Sequence, residues 1–412
     1  MPNGTPFLND LVMNIAIYTL TSELHDEQSV GSVTREFLGS LDVEYDYRGY
    51  DYSDYGSGAL DLIFVRTGGT ENLFKRLLPE LLSKSAQPFY LLASGKSNSL
   101  AASMEILSYL RQNHLEGEII HGSPSYISKR IRQLAKVSEA KKQLKDCRLG
   151  IIGKPSDWLI SSTVNKEIVK SQLGIDLIDI PMQELLEVLA TIPMKEVAEQ
   201  APTEAIRSAL PGAHQIYEAL KVIVGKYRLQ GFTIRCFDLL SAVRNTGCLA
   251  LAKLNSEGII AGCEGDVPAM LTMKMAQALV GVSGFQANPA SINPETGEVL
   301  FAHCTIPFNM VERYEYDTHF ESGIGVGIRG YMKEGPVTIF KVAGDLSRQF
   351  IEEGELVRNQ AKPDLCRTQQ VIRLSDPGKT SYFLTNPIGN HHIILPGHHK
   401  ELISMARSLW NV

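Results

Sequence analysis

The sequence predicts an α/β fold built from two doubly wound blocks, followed by a C-terminal antiparallel β-barrel-like domain. Three observations predict it. Through the first 290 residues, short β-branched runs that are apolar on both faces alternate with helical patterns, as parallel strands covered by crossover helices do. A charged helical tract over residues 128–145 divides that alternation in two. From about residue 291 the texture becomes Gly-rich, β-branched and aromatic with closely spaced turn residues, which suits strands joined without crossover helices.

In chain order, residues 14–20, 61–65 and 88–93 read as buried parallel strands, and 72–82 and 100–110 carry apolar residues at the three- and four-residue spacing of helices. The tract 128–145 is a solvated connecting helix, and a first domain of residues 1–147 ends with it. A second domain, 148–290, takes its strands from residues 147–153, 174–180, 232–238 and 258–263. After Cys263 an Asp N-cap, Pro268 in the first turn, an apolar stripe and Gly281 mark out a helix. The third domain, 291–412, includes the β patterns at 323–331 and 335–342.

With 412 residues, 44% apolar and 21% charged, the chain can bury a substantial core and reads as an ordinary globular protein. A net charge of −6 gives no basic field for a nucleic-acid backbone, so nucleic acid is excluded as the main partner. No run approaches the roughly 18 apolar residues of a spanning helix, so no membrane partner is expected. The first seven residues lack a basic flank followed by an apolar region, and a cytoplasmic address follows. The six cysteines show no paired spacing and read as reduced, mostly buried thiols.

The chemistry concentrates in two segments. Gly258–Pro268 sets Glu264 and Asp266 where an apolar run ends and a helix begins, the position at which open α/β sheets hold their ligands. Residues 391–399 hold four histidines, His391, His392, His398 and His399. Carboxylates with imidazoles form a divalent-metal ligand set. Asp266 is accounted for by helix capping as well as by ligation, whereas helix chemistry does not explain Glu264, which points to a ligand or a base. His303, within an apolar run, is either a core histidine or a ligand; His391, at the mouth of a strand, suits ligation. Trp158, just past a strand, either stacks on a sugar-sized ligand or anchors a domain interface. A phosphate loop fails at Ser94–Ser97, because its leading glycine would fall at Tyr90.

The order Asp238-Leu-Leu, Asn245-Thr-Gly-Cys, Cys263-Glu-Gly-Asp-Val-Pro, Gln286-Ala-Asn-Pro, Ala302-His-Cys-Thr, His319-Phe-Glu-Ser-Gly and Gly389-Asn-His-His resembles the L-fucose/L-arabinose isomerase superfamily, in its shorter fucose isomerase-like branch. The resemblance implies two Rossmann-like domains before a barrel, a homotrimer or homohexamer, and an Mn²⁺-type site, open to another divalent cation, that interconverts an aldose and a ketose through an enediol. It makes Glu264 a ligand and the base, and His391 a second ligand. Asn288 stands where the fucose isomerases carry an Asp, and His303 resembles an additional histidine ligand of the arabinose isomerases. Asp266 or Asp238 would relay protons, and His319 and Glu321 would contact the sugar. Because an amide cannot act as a carboxylate base, Asn288 leaves open an isomerase or lyase for a modified, for instance sulfonated, sugar, or a non-catalytic sugar-binding protein.

Overall fold

A computed structural model describes residues 14–85, 88–410 and 412; the first seven residues, read above for a leader, lie outside the described residues. The fold class read from the sequence holds: parallel α/β sheets come first and a closed antiparallel barrel last. The chain forms two compact units, residues 1–142 and 143–412.

The first unit contains β1 (Ile15–Leu20), α1 (Glu27–Gly39), β2 (Asp46–Gly49), β3 (Leu60–Val65), α2 (Glu71–Lys84), β4 (Phe89–Ala93), α3 (Ser99–Gln112), β5 (Gly117–Ile120) and most of α4 (Pro124–Leu144). Its five-stranded parallel sheet runs β2-β1-β3-β4-β5. Every residue of β1 and β4 is buried, as strands covered on both faces must be, whereas the edge strand β2 is mostly exposed and carries Asp46 and Arg48.

The second unit begins with β6 (Arg148–Ile152), α5 (Lys166–Leu173), β7 (Asp176–Ile180), α6 (Met182–Thr191), α7 (Glu204–Tyr227), β8 (Gly231–Ile234), α8 (Phe237–Val243), α9 (Cys248–Ser256), β9 (Ile260–Gly262) and α10 (Val267–Val280). Its parallel sheet runs β7-β6-β8-β9. The strand expected over 232–238 stops at Ile234, and the chain turns at Cys236 into α8, which puts Asp238 in a helix. The Asp266 cap forms as expected: its Oδ1 accepts from the Ala269 amide at 2.8 Å, and Gly281 closes α10 at φ +85°.

There follow β10 (Phe285–Asn293), β11 (Glu298–His303), β12 (Arg313–Asp317), β13 (Gly327–Tyr331), β14 (Gly335–Val342), β15 (Gln349–Gln360), β16 (Thr368–Leu374), α11 (Thr380–Thr385), β17 (His392–Pro396) and α12 (Lys400–Trp410). The barrel closes in the order β10-β11-β16-β15-β14-β17, and β12 and β13 form a separate hairpin. It opens with β10, ahead of the change of texture at residue 291; Pro289 hides that strand in the sequence and sits at its bulge. Within the run 323–331 only Gly327 onward is strand. Gly323 and Gly325 take φ +67° in the preceding turn, where a side chain on Gly325 would strike Thr246. The barrel core includes Ile206, Leu210, Leu249 and Ala252 from α7 and α9, while Ile216, Leu220, Ala250 and Leu251 of the same two helices pack into the core of the second sheet, so these helices lie between the two cores.

Candidate active site

The site forms where the carboxyl ends of β6, β8 and β9 meet one level of the barrel. After β9, Glu264 adopts φ +62° and Gly265 φ +70°. A non-glycine residue in this region costs about 1–2 kcal/mol and persists only where its surroundings enforce it. They do so here. The Glu264 carbonyl accepts from the Ser156 amide at 2.9 Å and the Gly265 amide donates to Ile234 O at 2.9 Å, while a Cβ on Gly265 would lie 2.6 Å from Lys154 O.

This strained turn directs the Glu264 side chain at two imidazoles. Its Oε1 lies 3.5 Å from His391 Nε2 and 3.7 Å from His303 Nε2. Its Oε2 accepts from Trp158 Nε1 at 2.7 Å, across 106 positions of sequence. Strands β17, β10 and β11 are neighbours, with Ala287 opposite His392 and Asn288 opposite Ala302. The ladder therefore delivers His391, Asn288 and His303 together.

Each histidine is oriented from behind. His391 Nδ1 donates to Asp266 Oδ2 at 2.9 Å, and His303 Nδ1 lies 3.1 Å from the Thr305 hydroxyl. Both Nε2 atoms are thus left for the cavity, and the Asp266 carboxylate behind His391 fixes its Nδ1–H, as carboxylates behind metal-binding imidazoles do. Asp266 accordingly caps α10 with one oxygen and orients His391 with the other. Burial pulls the His391 imidazolium down, but the Glu264 charge and the Asp266 hydrogen bond outweigh it and raise the ring to about 9. Burial raises the Glu264 carboxyl, and the charge of His391 with the contacts to both imidazoles more than reverses this, holding it well below the ordinary carboxylate range. Asp266 is lowered to about 2, burial being overcome by the Lys341 charge and the His391 bond. Burial keeps His303 neutral and takes His319 down to about 4.

Glu264, His303 and His391 each offer a ligand atom, all within 4.8 Å of one another, and form a group able to hold a metal ion. Two buried polar atoms beside them, His391 Nε2 and Asn288 Oδ1, have no hydrogen-bond partner. Buried polar atoms are seldom left so, and a cation would satisfy both. The donor set, two imidazoles with a carboxylate and an amide oxygen, suits a divalent first-row metal.

A cavity adjoins this group, lined by Glu264, Asn288, His303, His319 and Glu321. Trp158 stacks edge-on against Phe237 at 4.8 Å, and Phe237 against His319 at 5.6 Å, which makes an aromatic wall beside Glu264. Asp238 is not brought in: its carboxylate accepts from Arg235 Nε at 3.0 Å, and it does not line the cavity. His398 and His399 lie beyond β17, away from the group, and His392 packs among Phe301, Phe350 and Phe383. All six cysteines are free thiols, and five of them line this one cavity, with Cys236 Sγ 3.1 Å from Cys263 Sγ. Two contributors carry a weak sequence signal: Thr305, two residues after its histidine, and Lys341, a lone charge in an otherwise apolar strand.

No family model matches the chain. It is similar to the sulfoquinovose isomerases of Priestia megaterium (strain ATCC 12872 / QMB1551) and Alkalicoccus urumqiensis, at 23% and 22% identity over 262 residues, 60% of this chain and 59% of each relative. The sulfoquinovose isomerase of Clostridium sp. (strain MSTE9) is 23% identical over 222 residues, 51% of this chain and 48% of that protein. The chain thus matches about three-fifths of the length of the first two. No helix among the described residues is long and apolar enough to cross a membrane.

Proposed function

We propose that the chain is a divalent-metal-dependent aldose–ketose isomerase of the L-fucose/L-arabinose isomerase superfamily, acting on a sulfonated aldose such as sulfoquinovose. The observation that carries this reading is the convergence of Glu264, His303 and His391 beside unpartnered Asn288 Oδ1. The similarity to sulfoquinovose isomerases supplies the sulfonated sugar. A homotrimeric or homohexameric, cytoplasmic enzyme using Mn²⁺ belongs to the same proposal.

Glu264, His303, His391 and Asn288 would hold the cation. When bound it would supply Lewis acidity that stabilises negative charge developing on the sugar oxygens. The remaining chemistry belongs to the chain. Glu264 moves the proton between C1 and C2. Trp158 fixes the second oxygen of that carboxylate, so the basic oxygen faces the cavity in one orientation. Asp266 keeps His391 in the tautomer that presents Nε2. His319, kept neutral by burial, and Glu321 serve the sugar hydroxyls from the cavity wall.

The test is incubation of the protein with Mn²⁺ and sulfoquinovose, followed by proton NMR. Ketose signals that form with the wild type and not with Glu264→Gln support the proposal. Absence of ketose from both sulfonated and plain aldoses, with Mn²⁺ or Co²⁺, rejects it.

A further inference from the structure

Lys341 sits at the end of β14 inside the barrel wall, only 1% exposed. Its ammonium is 3.7 Å from Asp266 Oδ2, beyond hydrogen-bond distance, and has no hydrogen-bond partner. Asp266 spends Oδ1 on the Ala269 amide and Oδ2 on His391. Three donors on a buried cation are therefore left unused.

Lys341 lines a second cavity of about 350 Å³, which shares no lining residue with the one beside Glu264. Ser162, Asn165, Arg348 and Gly389 line it with Lys341. A methyl group on Gly389 would lie 3.6 Å from Ser162 Oγ and 4.0 Å from Lys341 Cε, so the lysine end, the hydroxyl and the bare glycine backbone face one another. Asn165, which caps the start of α5, and Pro268, in the first turn of α10, line the same space, so the positive ends of two helix dipoles lie beside it. Arg348 adds a second cation, held by Asn386 O and Oδ1 at 2.8 Å. The one carboxylate on the wall, Asp345, is turned onto the amide and hydroxyl of Ser347.

We propose that this cavity binds a small tetrahedral oxyanion, with the ammonium of Lys341 as its buried counter-charge and Arg348 and Ser162 as further donors. The shared chemistry covers inorganic sulfate, inorganic phosphate and an organic sulfonate. The site is independent of the isomerase reading, since it needs neither the cation nor the sugar.

The experiment is equilibrium dialysis of the full chain against labelled sulfate, phosphate and methanesulfonate, each at constant ionic strength balanced with chloride. Saturable uptake of at least one of the three, near one equivalent per chain, is expected, and the anion that binds most tightly identifies the source. Loss of a charge-assisted bond weakens binding at least about tenfold, so Arg348→Gln and Lys341→Met are expected to show that loss. Arg348 is exposed, so its variant decides the matter should Lys341→Met fail to fold. Glu264→Gln retains uptake, which separates this site from the sugar cavity. Absence of saturable uptake of all three anions, or uptake unchanged in Arg348→Gln, overturns the proposal.

Discussion

At the scale of single residues, the behaviour of His391 sets the pH response. Its folded-state value of about 9 lies above the ordinary imidazole value, so in the metal-free protein its charge stabilises the fold fully below pH 6.5. That contribution is lost as pH rises through 9. A cation must displace this proton, so its affinity is expected to rise with pH up to about 9, with a proton released on binding near neutrality; calorimetry in buffers of different ionisation enthalpy measures this. Pairing of cation uptake with no proton release would contradict it. Asn288→Asp restores a carboxylate at the unpartnered oxygen, and the ratio of kcat/KM for plain over sulfonated aldose is expected to rise, as steady-state assays would register. The convergence of Glu264 and His391 was legible in the sequence, Glu264 because helix chemistry does not explain it and His391 because it stands at the mouth of a strand. Asp266 was half legible, since capping and orienting His391 use different oxygens and only the first is local. Asp238 misleads because its Arg235 partner lies three positions away and takes up its charge.

Among the elements, the turn between β9 and α10 carries the site. Gly265→Ala forces a Cβ into a left-handed conformation and within 2.6 Å of Lys154 O, a backbone atom that cannot swing aside. It is expected to destabilise the second unit by about 2 kcal/mol or more, read from the midpoint of urea denaturation. Trp158→Phe keeps the aromatic wall and removes the donor to Glu264 Oε2; it is expected to lower kcat by about tenfold while leaving the denaturation midpoint near that of the wild type. Strands covered on both faces, such as β1, β3 and β4, were legible from their predominantly apolar runs. The edge strand β2 and the short β5 lack such runs, and β10 contains a proline, so pattern alone does not reveal them.

For the whole molecule, order along the chain was readable and closure was not. Turn spacing announces antiparallel strands, but the pairing of β10 with β17, which seals the barrel, joins segments whose proximity no local pattern encodes. Cation binding to the folded state alone is expected to add about 2.7 kcal/mol at a hundredfold excess over Kd, visible as a rise in Tm that a chelator reverses and that His303→Ala abolishes. The same closure has a further consequence. Because Asn288 and His303 lie in paired strands and His391 directly precedes a third, their mutual spacing is set chiefly by main-chain pairing. Substitutions in the aromatic wall of Trp158 and Phe237 are then expected to reshape the cavity while the distance between the two histidines stays as it is.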